Sequence, residues 1–305
     1  MTKADEHKHL GLTLQSNLSF SKHLNEKMTK AKKIIGILKH LSKFLPLKTL
    51  NQMYKALVRS HLDYCDIIYH MPQVVHPPPL GVSLHNLMES VEKIQYQAGL
   101  AITGCWKGTS RTKLYEELGW ETLSDRRSNN RVFQIYKIIS KTTLSYLKDK
   151  LPPHRYHFLV HVFREMRCKS NRYSYSFFPD AISSWNTVIS QFEYFPIYSR
   201  FKNHVIGSHR PKGKPVFDIH DPTGLRYLFQ LRLGLSPLRS HKVRYGFRDT
   251  PSDSCLCGLG TEDTRHFLFS CPFYTTKRVV MKSALHSLHK QNQQKMNRQD
   301  DEYDQ

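Results

Sequence analysis

Leu24, Met28, Ala31, Ile35, Leu38 and Leu41 follow one another at steps of four or three residues. That spacing lines all six along one stripe of an α-helix but scatters them over both faces of a strand, so residues 21–44 are read as a helix. Pro46, suited to a first helical turn, starts a second helix, with its stripe expected at Leu50, Met53, Tyr54, Leu57, His61 and Tyr64. Between Lys22 and Arg59 stand ten Lys/Arg and a single acid, Glu26. A solvated helix face is ordinarily mixed in sign, so this almost acid-free one points to phosphate contact, through Lys27, Lys30, Lys32, Lys33, Lys39 and Lys43. The whole chain repeats the bias. Its 46 Lys+Arg against 25 Asp+Glu leave a formal charge of +21, which excludes an acidic solvating protein and favours a polyanionic partner, RNA or DNA.

Ahead of the helices, His9-Leu10-Gly11-Leu12-Thr13-Leu14 alternates apolar and polar residues as a short strand does, and Ser16-Asn17 supplies a turn. Beyond them, Pro72 and Pro77-Pro78-Pro79 predict a stiff polyproline linker. Helical spacing returns at Leu87, Val91, Ile94, Ala98 and Ala101, ending at Gly104, and again over 123–148 through Val132, Ile135, Ile139 and Leu147, closed by Pro152-Pro153. Tyr173, Tyr175, Phe177, Phe178 and Trp185 suggest brief strands or a compact irregular module. Interleaved aromatic and basic residues can stack bases, but core packing is the stronger reading of these. Residues 210–215 read as a basic loop, and 223–288 as a helix, a cysteine-bearing turn and a final helix. Asp300, Asp301, Glu302 and Asp304 form an acidic tail expected to be disordered. The fold class is therefore mainly α with minor β.

Six cysteines in 305 residues are too few for a disulfide scaffold. The opening residues 1–7 have no apolar signal region, and no apolar run approaches the roughly 20 residues that span a bilayer. An intracellular, reduced chain without a membrane partner is expected.

Three of the six cysteines lie close together. Cys255 and Cys257 precede His266 and Cys271 in the pattern C-x-C-x8-H-x4-C, four soft ligands within 17 residues. These are ligand types zinc prefers, and four protein ligands leave no open position, so the metal's role would be structural. Gly258 and Gly260 let the backbone fold round an ion, with Phe267-Leu268-Phe269 as a small core beneath it. Cys65, Cys105 and Cys168 read as buried apolar thiols. No catalytic residue is assigned. Two-metal nucleotidyl transfer needs paired carboxylates; Tyr64-Cys65-Asp66-Ile67 offers one, and Asp300-Asp301 lies at the terminus, so both sites read as ordinary surface acids. No phosphate-binding glycine loop, zinc-protease helix or nucleophile elbow occurs.

Taken in order, these segments resemble the C-terminal part of non-LTR (LINE-type, jockey-like) retrotransposon reverse transcriptases. Residues 9–14 through Phe20 are similar to the strand and turn after the palm. Lys30-Ala31-Lys32-Lys33, Leu41-Ser42-Lys43-Phe44-Leu45-Pro46 and residues 54–64 resemble the thumb. Leu114-Tyr115-Glu116-Glu117-Leu118-Gly119-Trp120, Asp125-Arg126-Arg127, and Phe177-Phe178-Pro179-Asp180-Ala181-Ile182 with Trp185-Asn186 resemble the region beyond the thumb. Cys257-Gly258, Glu262-Asp263-Thr264, His266-Phe267-Leu268, Cys271-Pro272 and Arg278 resemble the family's terminal Cys/His module. The resemblance covers about residues 8–285.

The resemblance implies the end of a palm-like region at 1–20, a thumb-like pair of basic helices at 21–70, a Pro-rich linker at 71–83 and a helical connector at 84–153. An aromatic-rich module at 154–215, a zinc-knuckle-like module at 216–290 and a tail at 291–305 would complete the chain. The family's catalytic aspartates precede this segment, so a nucleic-acid-binding fragment that does not polymerise alone is expected. Mg²⁺ belongs only to the complete parent polymerase. Gly99-Leu100 stands where relatives often carry an arginine. The alternatives are an accessory subunit acting with a palm-containing polymerase chain in trans, or a translated relic. A ribonucleoprotein, nuclear or cytoplasmic, is the expected setting.

Overall fold

The computed structural model describes residues 5–70, 81–155, 161–207 and 221–287. The polyproline run, the basic loop at 210–215 and the acidic tail lie outside the described residues. Among those described, the chain is mainly helical with one two-stranded sheet, and it divides into two compact units, Met1–Arg226 and Tyr227–Gln305.

The expected single strand is a hairpin. Strand β1 (Glu6–His9) pairs antiparallel with β2 (Leu12–Gln15), placing Glu6 opposite Gln15 and His9 opposite Leu12. The chain reverses at Leu10-Gly11, with φ of 44° and 81°, as a two-residue turn with both central residues left-handed requires. The Tyr64 hydroxyl donates to the Leu10 carbonyl, tying the turn to the helices behind it.

Helix α1 (Ser21–Leu41) buries His23, Leu24, Met28, Ala31, Ile35 and Leu38, following the apolar spacing. Its partner runs as α2 (Leu47–Met53), a π-turn at Tyr54–Arg59 and α3 (Ser60–Asp63). The buried face here differs from the expected stripe. Leu57 is 45% exposed and Tyr64 37%, while Leu50, Tyr54, Val58 and Leu62 are buried. Those four lie four residues apart. An α-helix carries each such step about 40° past a full turn, and the wider π-turn absorbs that drift, keeping all four buried.

Cys65, in the left-handed region at φ 60°, re-aims the chain into α4 (Asp66–Tyr69). Asp66 is not the surface acid its sequence context suggested. It is buried, and its carboxylate accepts from Asn130 Nδ2 at 2.7 Å and the Ile67 amide at 2.8 Å. Burial raises its pKa above the usual carboxylate range, against the pull of the Asn130 bond.

Helix α5 (Gly81–Thr103) packs along α1 and ends at left-handed Gly104, as its spacing predicted. Helix α6 (Arg111–Leu118) closes on Gly119 at φ 67°: the Trp120 amide reaches back to the Tyr115 carbonyl at 2.9 Å and the Gly119 amide to Glu116, a Schellman cap. A Cβ on Gly99 would lie 2.9 Å from Leu114 Cδ2, so α5 and α6 approach too closely there for a larger residue to enter without displacing Leu114. Buried Glu92 ties the layer together, accepting from the Tyr115 hydroxyl at 2.8 Å and the Leu123 amide at 2.9 Å. Tyr54 stacks on Trp120, ring centroids 3.9 Å apart, and donates to Gln95 Oε1 at 2.6 Å.

Helix α7 (Leu123–Ile139) begins on Thr122, whose hydroxyl accepts from the Asp125 amide, an N-cap that satisfies one orphan donor. It stops at Ile139, short of the expected Lys148; Lys141 is left-handed, and a 3₁₀ turn occupies Ser145–Lys150. The aromatic-rich segment is helical rather than strand-like, forming α8 (Asn171–Ser174), α9 (Phe177–Ile189) and α10 (Tyr198–Gly207). Ala181, Ile182, Trp185 and Ile189 recur at helical spacing and pack with Val132, Ile135 and Tyr136 of α7 and Phe201 of α10. Trp185 is fully buried and donates to the His161 carbonyl at 2.8 Å. Trp185 builds core, with Phe177 and Phe178 packed against it, while Tyr173 is 44% exposed. Arg131, also fully buried, donates to Asp180 at 2.7 Å and to the His70 carbonyl at 2.7 Å.

Helix α11 (Pro222–Arg232) leads into the second unit, where α12 (Arg239–Arg244), the cysteine-bearing turn and α13 (275–287) complete the described chain.

Candidate metal centre and cationic surface

From Asp253 to Thr261 the chain folds back on itself. The Cys255 amide donates to the Gly260 carbonyl at 2.7 Å and the Gly258 amide to the Cys255 carbonyl at 3.0 Å. Gly258 and Gly260 have φ of 76° and 139°, conformations that a side chain would strain. This tight turn places two thiols one residue apart on one rim. Asp263 Oδ1 accepts from the His266 amide at 2.7 Å, and His266–Ser270 forms a π-turn. Its i to i+5 bonding brings the Cys271 amide onto the His266 carbonyl at 2.8 Å, so ligands five residues apart stack on one side. An ordinary α-turn would splay them.

The ligand atoms of Cys255, Cys257, His266 and Cys271 all lie within 4.8 Å of one another. Cys255 Sγ stands 3.7 Å from Cys271 Sγ, and Cys257 Sγ 3.2 Å from His266 Nε2. A disulfide would need sulfurs about 2.05 Å apart. A tetrahedral ion with metal–sulfur bonds of about 2.3 Å gives a sulfur–sulfur edge of about 3.8 Å. The four groups therefore could hold a metal ion. The Cys257 thiol is pulled down to about 7, chiefly by the Leu259 backbone N–H. Cys255 receives a similar bond from Cys257 that favours the thiolate, but burial and the neighbouring sulfurs outweigh it and push it up to about 11. Between residues 251 and 287 only Cys255 and Cys271 are buried. Phe269 is 70% exposed, so the small core expected beneath the ion reduces to half-buried Phe267 and Leu268, with Phe267 edge-on to Tyr274 at 4.7 Å.

Among the six lysines assigned to phosphate contact, Lys30, Lys32, Lys33, Lys39 and Lys43 are exposed. By helical periodicity Lys32 and Lys39 follow one edge of α1, and Lys30 and Lys33 the other; the latter two line a shallow groove of about 680 Å³. Lys27 differs. It is half-buried, with Nζ 4.1 Å from the centroid of the Tyr64 ring, and burial, then the Lys30 charge, holds its ammonium below the usual lysine range. Among the described residues no ion pair engages any of the six. Cys105 is buried as expected, while Cys65 and Cys168 are half-buried. A second cationic concavity, lined by Lys55, Arg59, Arg126, Lys137 and Lys202, escaped the sequence reading because three separate elements supply it.

No family model, curated protein or solved structure matches this chain. Among the described residues, no helix is long and apolar enough to cross a membrane.

Proposed function

We propose that this chain is a nucleic-acid-binding C-terminal piece of a LINE-type reverse transcriptase, with α1 as the phosphate-contacting element of a thumb-like helical pair. The observation that supports this most strongly is the state of α1: one face is engaged in the core, and Lys30, Lys32, Lys33 and Lys39 are exposed with no carboxylate partner among the described residues, while Lys22 at its start pairs with Glu6. Such a surface self-repels in isolation and gains free energy by releasing counterions from a polyanion. Cys255, Cys257, His266 and Cys271 would hold zinc, which crosslinks the terminal loop and performs no chemistry. In the family this chain resembles the catalytic aspartates precede the matching segment, so on this reading it binds template or primer without extending it.

The test is fluorescence anisotropy with a labelled RNA and a labelled duplex, comparing the wild type with Lys30→Gln/Lys32→Gln/Lys33→Gln/Lys39→Gln. At 0.1 M salt the variant should lose at least tenfold in affinity for both ligands. Equal affinity in a folded variant would overturn the assignment of α1, and primer extension by the isolated chain with Mg²⁺ would overturn the non-catalytic reading.

A further inference from the structure

A cleft of about 480 Å³ opens in the first unit beside the π-turn. Lys55 and Arg59 come from that turn, Arg126 and Lys137 from α7, and Lys202 from α10. Against these five cations the lining holds one carboxylate, Glu121, whose Oε2 already accepts from Asn129. Behind the wall, a single oxygen of Asp63 serves two guanidinium groups, Arg126 at 2.8 Å and Arg59 at 3.7 Å. Lys55, Lys137 and Lys202 have no ion pair among the described residues.

Lys55, Arg59 and Arg126 thus line one side of the cleft with like charge. The Lys55 ammonium is held below the usual lysine range, first by partial burial and then by Arg59 and Arg126. Arg59 is likewise depressed, by burial and then by Arg126. Asp63 compensates Arg126 but leaves Lys55 without a partner beside two guanidinium groups, and like charges repel more strongly where water is partly excluded. An anion between them removes the repulsion and supplies charge-assisted hydrogen bonds to the two guanidinium groups.

We propose that this cleft seats a stretch of phosphodiester backbone, a phosphate-contact site separate from the lysines of α1. The proposal rests on the nucleic-acid reading above. Two features favour a polymer over a small anion. The cations are spread over three elements instead of converging on one point, and the chain-wide charge of +21 steers a polyanion far more than a single phosphate requires. Trp120, which forms part of the lining, is only 8% exposed and stacked on Tyr54. That ring therefore offers no stacking face, and the cations carry the contact.

The experiment uses the full chain and three variants: Lys55→Gln/Lys202→Gln, Lys55→Arg/Lys202→Arg, and Lys30→Gln/Lys33→Gln on α1. Each is titrated against a labelled duplex at five salt concentrations, and against inorganic triphosphate by ³¹P NMR, after circular dichroism shows wild-type melting. Removing one lysine–phosphate pairing should flatten the slope of log K against log[salt] by about 0.9. The cleft glutamine pair removes two and should flatten it by about 1.8, and the arginine pair should restore it. An unchanged slope in the cleft glutamine pair, with a reduced slope in the α1 variant, would overturn the cleft and leave the broader reading standing. Triphosphate binding that the cleft glutamines abolish, with no duplex binding by the wild type, would overturn the polymer occupant and the broader reading together.

Discussion

Stripping the proposed zinc should unfold residues 251–287 while leaving the helices of the first unit intact. Burial within that stretch is sparse: the only buried side chains are Cys255 and Cys271, both of them candidate ligands. Leu256, Leu259, Phe273, Val280 and Leu285 are all more than half exposed. A buried apolar side chain contributes about 1.5–3 kcal/mol, so two small thiols supply at most about 6 kcal/mol. A structural zinc ion contributes roughly 10–16 kcal/mol in apparent binding free energy at neutral pH. The ion outweighs the packing, and the module should order only when loaded. Hydrogen exchange read by mass spectrometry, with and without a strong chelator, resolves both units in one experiment. Amides at 255, 258 and 271, bonded inside the loop, should lose protection by several orders of magnitude, and amides of α7 and α9 should not change. Cys271→Ser should mimic the chelator. Protection of 255–271 that survives chelation, in a protein shown to contain no metal, would refute the zinc-dependent ordering.

Other consequences concern the first unit. Arg131→Ala leaves Asp180 and the His70 carbonyl without their buried donor and should cost about 3–5 kcal/mol in urea denaturation; a loss below about 1 kcal/mol would show the pair to be dispensable. Trp185→Ala empties a fully buried site among Tyr136, Phe195 and Phe201 and should cost about 3–5 kcal/mol, measured the same way. Burial, then Arg131 and Arg127, holds buried His70 down to about 2, against about 6.5 unfolded. The unfolded state therefore takes up the proton first, and His70 favours folding fully above about pH 6.5 and progressively less as pH falls toward about 2. Its share is about 1.4 kcal/mol per pH unit. Denaturation of His70→Asn at about pH 7 and about pH 5 should show about 2 kcal/mol less acid sensitivity than the wild type, and parallel losses in both proteins would contradict this.

The parts of the fold visible in the amino-acid order are those governed by local periodicity. The stripe of α1 and the stop of α5 at Gly104 follow from spacing within one or two turns, and the four candidate metal ligands from their clustering within 17 residues. The π-turn hid the true face of the second helix, because steps of four are ambiguous until the backbone shows how it absorbs the drift. Leu10-Gly11 hid a hairpin inside an apparent strand, since leucine is rarely left-handed. Tyr173 to Trp185 suggested brief strands, because aromatics favour them, or a compact irregular module, yet the spacing of Ala181, Ile182, Trp185 and Ile189 is helical, and their burial against α7 decides for the helix. Asp66 looked solvent-facing because its partner Asn130 lies 64 residues away. The cleft draws Lys55 and Lys202 together from opposite ends of the first unit's sequence, a separation over which no local pattern operates.

The salt dependence of duplex binding by the wild-type chain is the sharpest check on the nucleic-acid reading. Five phosphate contacts from the exposed Lys30, Lys32, Lys33, Lys39 and Lys43 imply a slope of log K against log[salt] of about −4.5, steeper still if Lys27 or the cleft also engages the backbone. A slope at least that steep is the predicted result. Absence of binding, or a slope shallower than about −2, from a chain that melts cooperatively would contradict it.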